Sequence, residues 1–388
     1  MSSANPIRIV HIQKVAGIAG SENHLLTLLP RLHDAGFEPA MLVLADSDDR
    51  PDDFVVRLRG GGVPTEVLRF QADISPVLLF RLVQYLRTHT FDIVHTHLLH
   101  ADLYGALAAR LAGVRTIIST RHNPDPFRTG PFVRSLTRLS TQSLDHVICI
   151  SDNLRQFCES IERVSPDQIT TVHYGFAPWP LVDGRTWRKD LGLNDDVPVL
   201  GMVARMIPQK GHATLLEALP RVLQQFSSAQ LVLIGDGPLR PSLEAQAKNL
   251  GIHPNVHFLG YRADSAALMP GFDVFVHPSR WEGFGLVFLE AMHASLPIVA
   301  TTASAIPEIV RHGETGLLVP PDNPSELAKA ICRVLVDRQF AMAMGRAGRC
   351  RLEGAFSIVD MVERTCAIYR QCLARKALSP QNDQHATV

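Results

Sequence analysis

Two glutamates, Glu282 and Glu290, stand eight residues apart around the turn Gly283-Phe284-Gly285-Leu286. Gly283 and Gly285 let the backbone turn tightly and approach a ligand, and the amides of Phe284, Gly285 and Leu286 then head a helix. Such an N-terminus carries unpaired N–H groups and partial positive charge, so it takes a phosphate readily. Glu290, about one turn into the helix, is placed to reach a ribose diol, and Glu282 to accept from sugar hydroxyls. A capped helix with a surface acid at each end would show the same spacing. A second segment shifts the weight. Arg205 follows the apolar run 199–203, and Lys210 lies five residues on. A guanidinium at a strand's carboxyl end and an ammonium at the start of the next helix suit a diphosphate. Each cation alone reads as a solvated charge. With the acidic glycine turn they outline a nucleotide-sugar pocket, in which negative charge on a departing diphosphate would be met by Arg205, Lys210 and backbone amides without a metal.

The elements needed to position these residues follow from hydrophobic patterning. Short apolar, β-branched runs alternate with amphipathic stretches of helical length, the signature of βαβ units and parallel sheets covered on both faces. Strands are expected at 7–12, 40–44, 65–68, 93–96, 116–119, 147–150 and 169–172, then at 199–203, 230–234, 256–259, 274–277, 298–300 and 317–319. The stretch 175–193, with prolines, tryptophans and charges but no periodicity, reads as a linker between two such sets. A chain of 388 residues suits two domains. Ligands of open α/β sheets bind at the carboxyl ends of the strands.

At this point the chain resembles the large family of retaining GT-B glycosyltransferases often called family 4, over nearly its whole length. The matching pieces are Asp92-Ile93-Val94-His95-Thr96-His97, Cys149-Ile150-Ser151, Arg205 with Lys210, Leu233-Ile234-Gly235-Asp236-Gly237-Pro238, Glu282 with Glu290, Ile306-Pro307-Glu308-Ile309-Val310, and 313–319. The resemblance implies an α/β chain of two Rossmann-like doubly wound domains facing a central cleft. It implies an acceptor-binding domain over 1–178, a nucleotide-sugar domain over 179–354, a helix over 355–378 crossing back to the first domain, and a polar tail over 379–388. It implies catalytic roles for His122, Arg205, Lys210 and Glu282. Donor binding would fall to Gly17, Gly20, Arg205, Lys210, Gly283, Phe284, Gly285, Leu286 and Glu290, and acceptor binding to Glu22 and His97. Retention of anomeric configuration is implied as well, in polysaccharide or glycolipid biosynthesis, with the nucleotide sugar as co-substrate and no cofactor. Two departures stand out. The N-terminal loop reads Gly17-Ile18-Ala19-Gly20-Ser21-Glu22, with Ala19 in place of a glycine, and Tyr174-Gly175-Phe176-Ala177 replaces an Asn-Gly-apolar-Asp pattern. A nucleotide-sugar epimerase, a sugar phosphorylase and a silent nucleotide-sugar-binding subunit are the alternative readings.

Other signals carry less. Asp46-Ser47-Asp48 has a metal-binding form but sits in a polar run read as a solvated loop. His95, His97 and His100 could suggest a metal, and polar lining is the competing reading. Six scattered cysteines without a Cys-x-x-Cys pair suggest neither disulfides nor zinc. A formal net charge of zero gives no support to a nucleic-acid partner. With no apolar run of roughly 18 residues, cytoplasmic residence is expected. Arg121, Arg128, Arg134 and Arg138, interleaved with Phe127 and Phe132 against Asp125 alone, read first as a solvated helix face, with contact with anionic lipid at the inner face of the membrane as the alternative. A lipid-linked, carbohydrate or small-molecule acceptor all fit, and oligomeric state is not readable.

Overall fold

A computed structural model describes residues 6–71, 75–124, 130–181, 183–184 and 186–378. Two compact units divide the chain, one made of 1–175 with 358–388, the other of 176–357. The strands of the first unit are β1 (Ile7–Lys14), β2 (Phe37–Ala45), β3 (Thr65–Arg69), β4 (Ile93–His97), β5 (Thr116–Arg121), β6 (His146–Cys149) and β7 (Ile169–Thr171). They form one sheet in the order β3-β2-β1-β4-β5-β6-β7. Those of the second are β8 (Val199–Val203), β9 (Gln230–Ile234), β10 (Val256–Gly260), β11 (Val274–His277), β12 (Ile298–Thr301) and β13 (Gly316–Val319), in the order β10-β9-β8-β11-β12-β13. Every strand pairing in both sheets is parallel. Each sheet is doubly wound, and its order reverses at one point, between β1 and β4 in the first and between β8 and β11 in the second.

Parallel sheets need helices on both faces, so their strands are near-continuous apolar runs rather than alternating ones. β2 shows this, with Met41 to Ala45 all buried. Helix His212–Gln225 covers β8 with Leu215, Leu216, Leu219 and Val222 in the second core. The first core draws on both ends of the chain. Helix Ile358–Leu378 buries Met361, Val362, Ile368 and Tyr369 among Leu25, Leu29 and Phe37, and Tyr369 meets Phe37 edge-on at 5.5 Å.

The stretch read as a linker is partly packed onto the second unit. Trp187 donates to Leu268 O at 2.9 Å, and buried Arg188 bonds Gly271 O at 2.6 Å and Asp273 at 2.7 Å. Its short helix Thr186–Asp190 left no periodicity because its anchors are single polar bonds rather than an apolar stripe. The acidic run 46–53 also has more order than a solvated loop. Asp46 accepts from Lys14 at 2.8 Å, Asp49 caps the Asp46 amide, and Asp52 opens the helix Asp52–Gly60.

Candidate functional site

In the second unit the switch point collects the motif residues. Arg205 lies two residues past β8, exposed, with no side-chain partner among the described residues. The chain then makes a 3-10 turn, Pro208–Lys210, and reaches Gly211 at φ +72°. A Cβ there would lie 2.0 Å from Pro278 O, so glycine is what lets the helix start at His212 crowd the β11 loop. That approach brings Lys210 to Glu282, Nζ to Oε1 at 2.6 Å. Ser279 Oγ donates to the same Oε1 at 2.8 Å and His277 Nε2 lies 3.1 Å from it. Oε1 is thereby saturated, while Oε2 has no partner among the described residues. Burial alone would raise the Glu282 carboxyl, but the Lys210 ammonium and His277 hold it down to about 2.

Gly285, at φ +94°, starts the helix Leu286–His293, and a Cβ on it would strike the Phe288 ring at 2.7 Å. The Phe284 side chain is buried edge-on against Phe356, so it can offer a ligand only its backbone. Glu290 is half-buried with no hydrogen bond or ion pair to its carboxyl among the described residues, and burial pushes it up to about 7. A raised carboxyl stabilises the fold fully below its unfolded value near 4.5 and loses that contribution as pH rises through about 7. Glu290→Gln should therefore be more stable than the parent at pH 8, on the order of 1–2 kcal/mol given its partial exposure, and equal to it near pH 4.5. Urea melts at the two pH values check this.

In the first unit, Gly17 and Gly20 border the loop after β1, and a Cβ on either would meet nothing within 4 Å. Ala19 is extended (φ −133°), a conformation any residue adopts, so alanine in place of the family's glycine imposes no strain. Glu22 is buried with its carboxylate on the Ala19 amide at 2.9 Å and on the Gln13 amide nitrogen. It caps its own helix, Gly20–Leu32.

His122 follows β5 and is nearly buried. Its Nδ1 bonds the Tyr174 hydroxyl, and its Nε2 lies 2.9 Å from His97 Nδ1. His97 Nε2 in turn lies 2.9 Å from His11 Nδ1. Tyr174 thus fills the place of the family's asparagine with a ring that orients His122 and stacks on His24 at 4.5 Å. His97, expected as an acceptor contact, is fully buried with both nitrogens engaged, so it can act only through His122. His95 joins Tyr369 and Thr120 at 2.7 Å each. The histidine group differs from the expected one. His11, in register with His95 across β1 and β4, replaces His100, which stacks on Phe70. His11, His95 and His97 bring ring nitrogens within 4.8 Å of one another. Yet their nitrogens are committed to hydrogen bonds, His11 Nδ1 to His97 Nε2 at 2.9 Å, His97 Nδ1 to His122, and both His95 nitrogens to Tyr369 and Thr120. Burial lowers all three, His11 to about 3, so they are neutral.

Arg121 is not a surface cation. It is buried, with Nη1 on Asp102 at 2.5 Å and Nε on Glu162 at 2.9 Å. Arg128, Phe127 and Asp125 fall outside the described residues, and Arg138 is half-buried, bonding Ile161 O at 3.0 Å. Among the described residues of the basic run, Arg121 is thus out of reach of a lipid headgroup. No helix among the described residues is long and apolar enough to cross a membrane.

Two parallel doubly wound domains, the second with cations, acids and a helix N-terminus gathered at its switch point, define a protein of the two-domain Rossmann-like GT-B class. Residues 183–351 match the family described as Glycosyl transferases group 1, and 18–178 match Glycosyltransferase Family 4. The chain belongs to these group 1, family 4 glycosyltransferases. It is 26% identical over 97% of its length and 100% of the relative's to the UDP-Gal:alpha-D-GlcNAc-diphosphoundecaprenol alpha-1,3-galactosyltransferase of Escherichia coli. It is 32% identical, over 64% of its own length and 68% of the relative's, to the GDP-mannose-dependent alpha-(1-6)-phosphatidylinositol monomannoside mannosyltransferase of Mycolicibacterium smegmatis. The fold is shared with HepE of Anabaena, solved with UDP and glucose, at a TM-score of 0.81 and 24% identity over 94% of this chain and 100% of that one.

Proposed function

We propose that the protein moves a sugar, with retention of anomeric configuration, from a nucleoside-diphosphate sugar held by the second unit to an acceptor held by the first. The observation that carries this reading is the Glu282 carboxylate, fixed through a saturated Oε1 and leaving Oε2 for a sugar hydroxyl. Support comes from the unpaired Arg205 at the end of the neighbouring strand β8 and from the amides of 284–286. Glu290 suits a ribose diol, which would donate two hydroxyls to the ionised acid and draw its pKa back down. Gly17 and Gly20 are assigned to the donor phosphates, and His122 to the reacting sugar. Glu22 and His97 serve the acceptor side by fixing the loop and the His122 ring.

The C1–O bond to the diphosphate breaks, and the acceptor oxygen bonds C1 from the same face. The acceptor's proton passes to the departing phosphate oxygen. Arg205, Lys210 and the turn amides hold the charge that builds on that phosphate. The relatives named for lipid-linked acceptors favour such an acceptor here, in glycolipid or polysaccharide assembly.

Product analysis by NMR, with a panel of nucleotide sugars and lipid-linked and carbohydrate acceptors and with EDTA present, tests the proposal. The expected product keeps the donor's anomeric configuration at an undiminished rate. Inversion, or activity restored only by manganese or magnesium, would contradict it, and donor epimerised without acceptor would replace it.

A further inference from the structure

His277 is the last residue of β11 and is 1% exposed, its ring stacked on Phe275 at 5.8 Å and edge-on to Phe288 at 5.2 Å. In that aromatic box a leucine would pack well and bring no polar atom. The imidazole instead brings two nitrogens out of water. Nε2 finds Glu282 Oε1 at 3.1 Å, whereas Nδ1 is buried without a hydrogen-bond partner. An unpartnered buried acceptor is destabilising. A polar residue kept in an apolar box at such a cost is a mark of function rather than packing.

The rest of the geometry says what that function is. A lone Lys210–Glu282 pair would leave the carboxylate free to rotate about its last torsion and to offer either oxygen. Three donors from three segments remove that freedom: Lys210 from the turn after β8, Ser279 from the loop after β11, and His277 from β11 itself. Ser279 is itself anchored, its carbonyl accepting from Thr301 Oγ1 at 2.6 Å. All three converge on Oε1. The neutral imidazole must hold its one proton on Nε2 to donate here, which is the tautomer that leaves Nδ1 bare.

We propose that His277 is a positioning residue, which fixes Glu282 so that Oε2 alone meets the donor sugar. This rests on the sugar-binding role proposed for Glu282. It also gives His277 a signature that a packing residue lacks, since its removal should harm turnover without harming the fold.

The test compares His277→Leu, His277→Gln and Glu282→Gln by turnover, by thermal melting, and by titration with the bare diphosphate of the preferred donor. His277→Leu should lose about ten- to thirtyfold in kcat, the scale of one hydrogen bond to a charged group. Its melting temperature should be unchanged or higher, and its nucleoside-diphosphate affinity unchanged. His277→Gln, which carries an amide donor of similar reach, should recover most of the turnover. If His277→Leu keeps full turnover while Glu282→Gln abolishes it, the role of His277 is overturned and the Glu282 reading stands. If His277→Leu loses melting temperature and nucleotide affinity together with turnover, the residue is structural and the proposal also fails. If Glu282→Gln itself transfers normally, the sugar-binding assignment falls, and the inference with it.

Discussion

Lys210→Ala should destabilise the second unit by about 3–5 kcal/mol at pH 7, the usual penalty for stripping one partner from a buried ion pair. Glu282 is 4% exposed and has Lys210 Nζ 2.6 Å from its Oε1. Without the ammonium, His277 and Ser279 are left to support a buried anion, and burial is the force that raises this carboxyl when nothing opposes it. The pH dependence follows. In the parent the Glu282 carboxyl is depressed to about 2, so its contribution is present above the unfolded value near 4.5 and lost as pH falls through about 2. In Lys210→Ala the depression is gone, and the deficit should shrink on acidification as Glu282 takes up a proton. Adding Glu282→Gln to Lys210→Ala should return most of the stability at pH 7, because the uncompensated charge goes with it. Urea denaturation of the single and double variants at pH 7 and pH 5 gives the comparison. A Lys210→Ala protein as stable as the parent would mean that the pair is solvated.

Arg205→Ala should behave in the opposite way, lowering turnover by about a hundredfold or more while leaving the fold intact. Arg205 is exposed and has no partner among the described residues, so nothing in the fold depends on its charge, and a surface change of this kind moves stability by less than about 0.5 kcal/mol. Its place at the end of β8, beside β11, is where a diphosphate on the 284–286 amides would be met by a cation. The loss should appear in KM as well as in kcat, since Arg205 would meet the donor's diphosphate in the ground state and more strongly still as charge builds on the leaving phosphate. Steady-state kinetics alongside a thermal melt separates the two variants. On this account Arg205 would serve the ligand alone, and Lys210 both the ligand and the fold.

What the sequence made legible was local. The alternation of apolar runs and helical stretches located both sheets, and strand-turn-helix punctuation placed Arg205, Lys210, Glu282 and Glu290 at one switch point. The rest depended on pairing across distance. His11 joins His95 only because β1 and β4 pair in that register. Arg121 looked like part of a basic surface run because its partners, Asp102 and Glu162, are 19 and 41 residues away. A charged residue ending a strand buried on both faces was the available signal, since such a charge must be paired. Glu22 sits at the fourth position of a capping-box spacing, but Ala19 offers no cap oxygen, which hid the capping role of Glu22 behind a resemblance to a binding loop. His277 gave no signal of its own, for a histidine ending an apolar strand is ordinary until its neighbours are known.

The most direct measurement of the central claim is a thermal-shift screen of nucleoside diphosphates and their sugars on the parent protein, repeated on Arg205→Ala. At 100 times its dissociation constant, a ligand of the folded state adds about 2.7 kcal/mol of stability. The account predicts that one base and sugar raise the melting temperature of the parent to that extent, with at most a small rise in Arg205→Ala at the same concentration. No stabilisation by any nucleotide sugar, or an equal shift in both proteins, would contradict a donor site at the β8–β11 switch point.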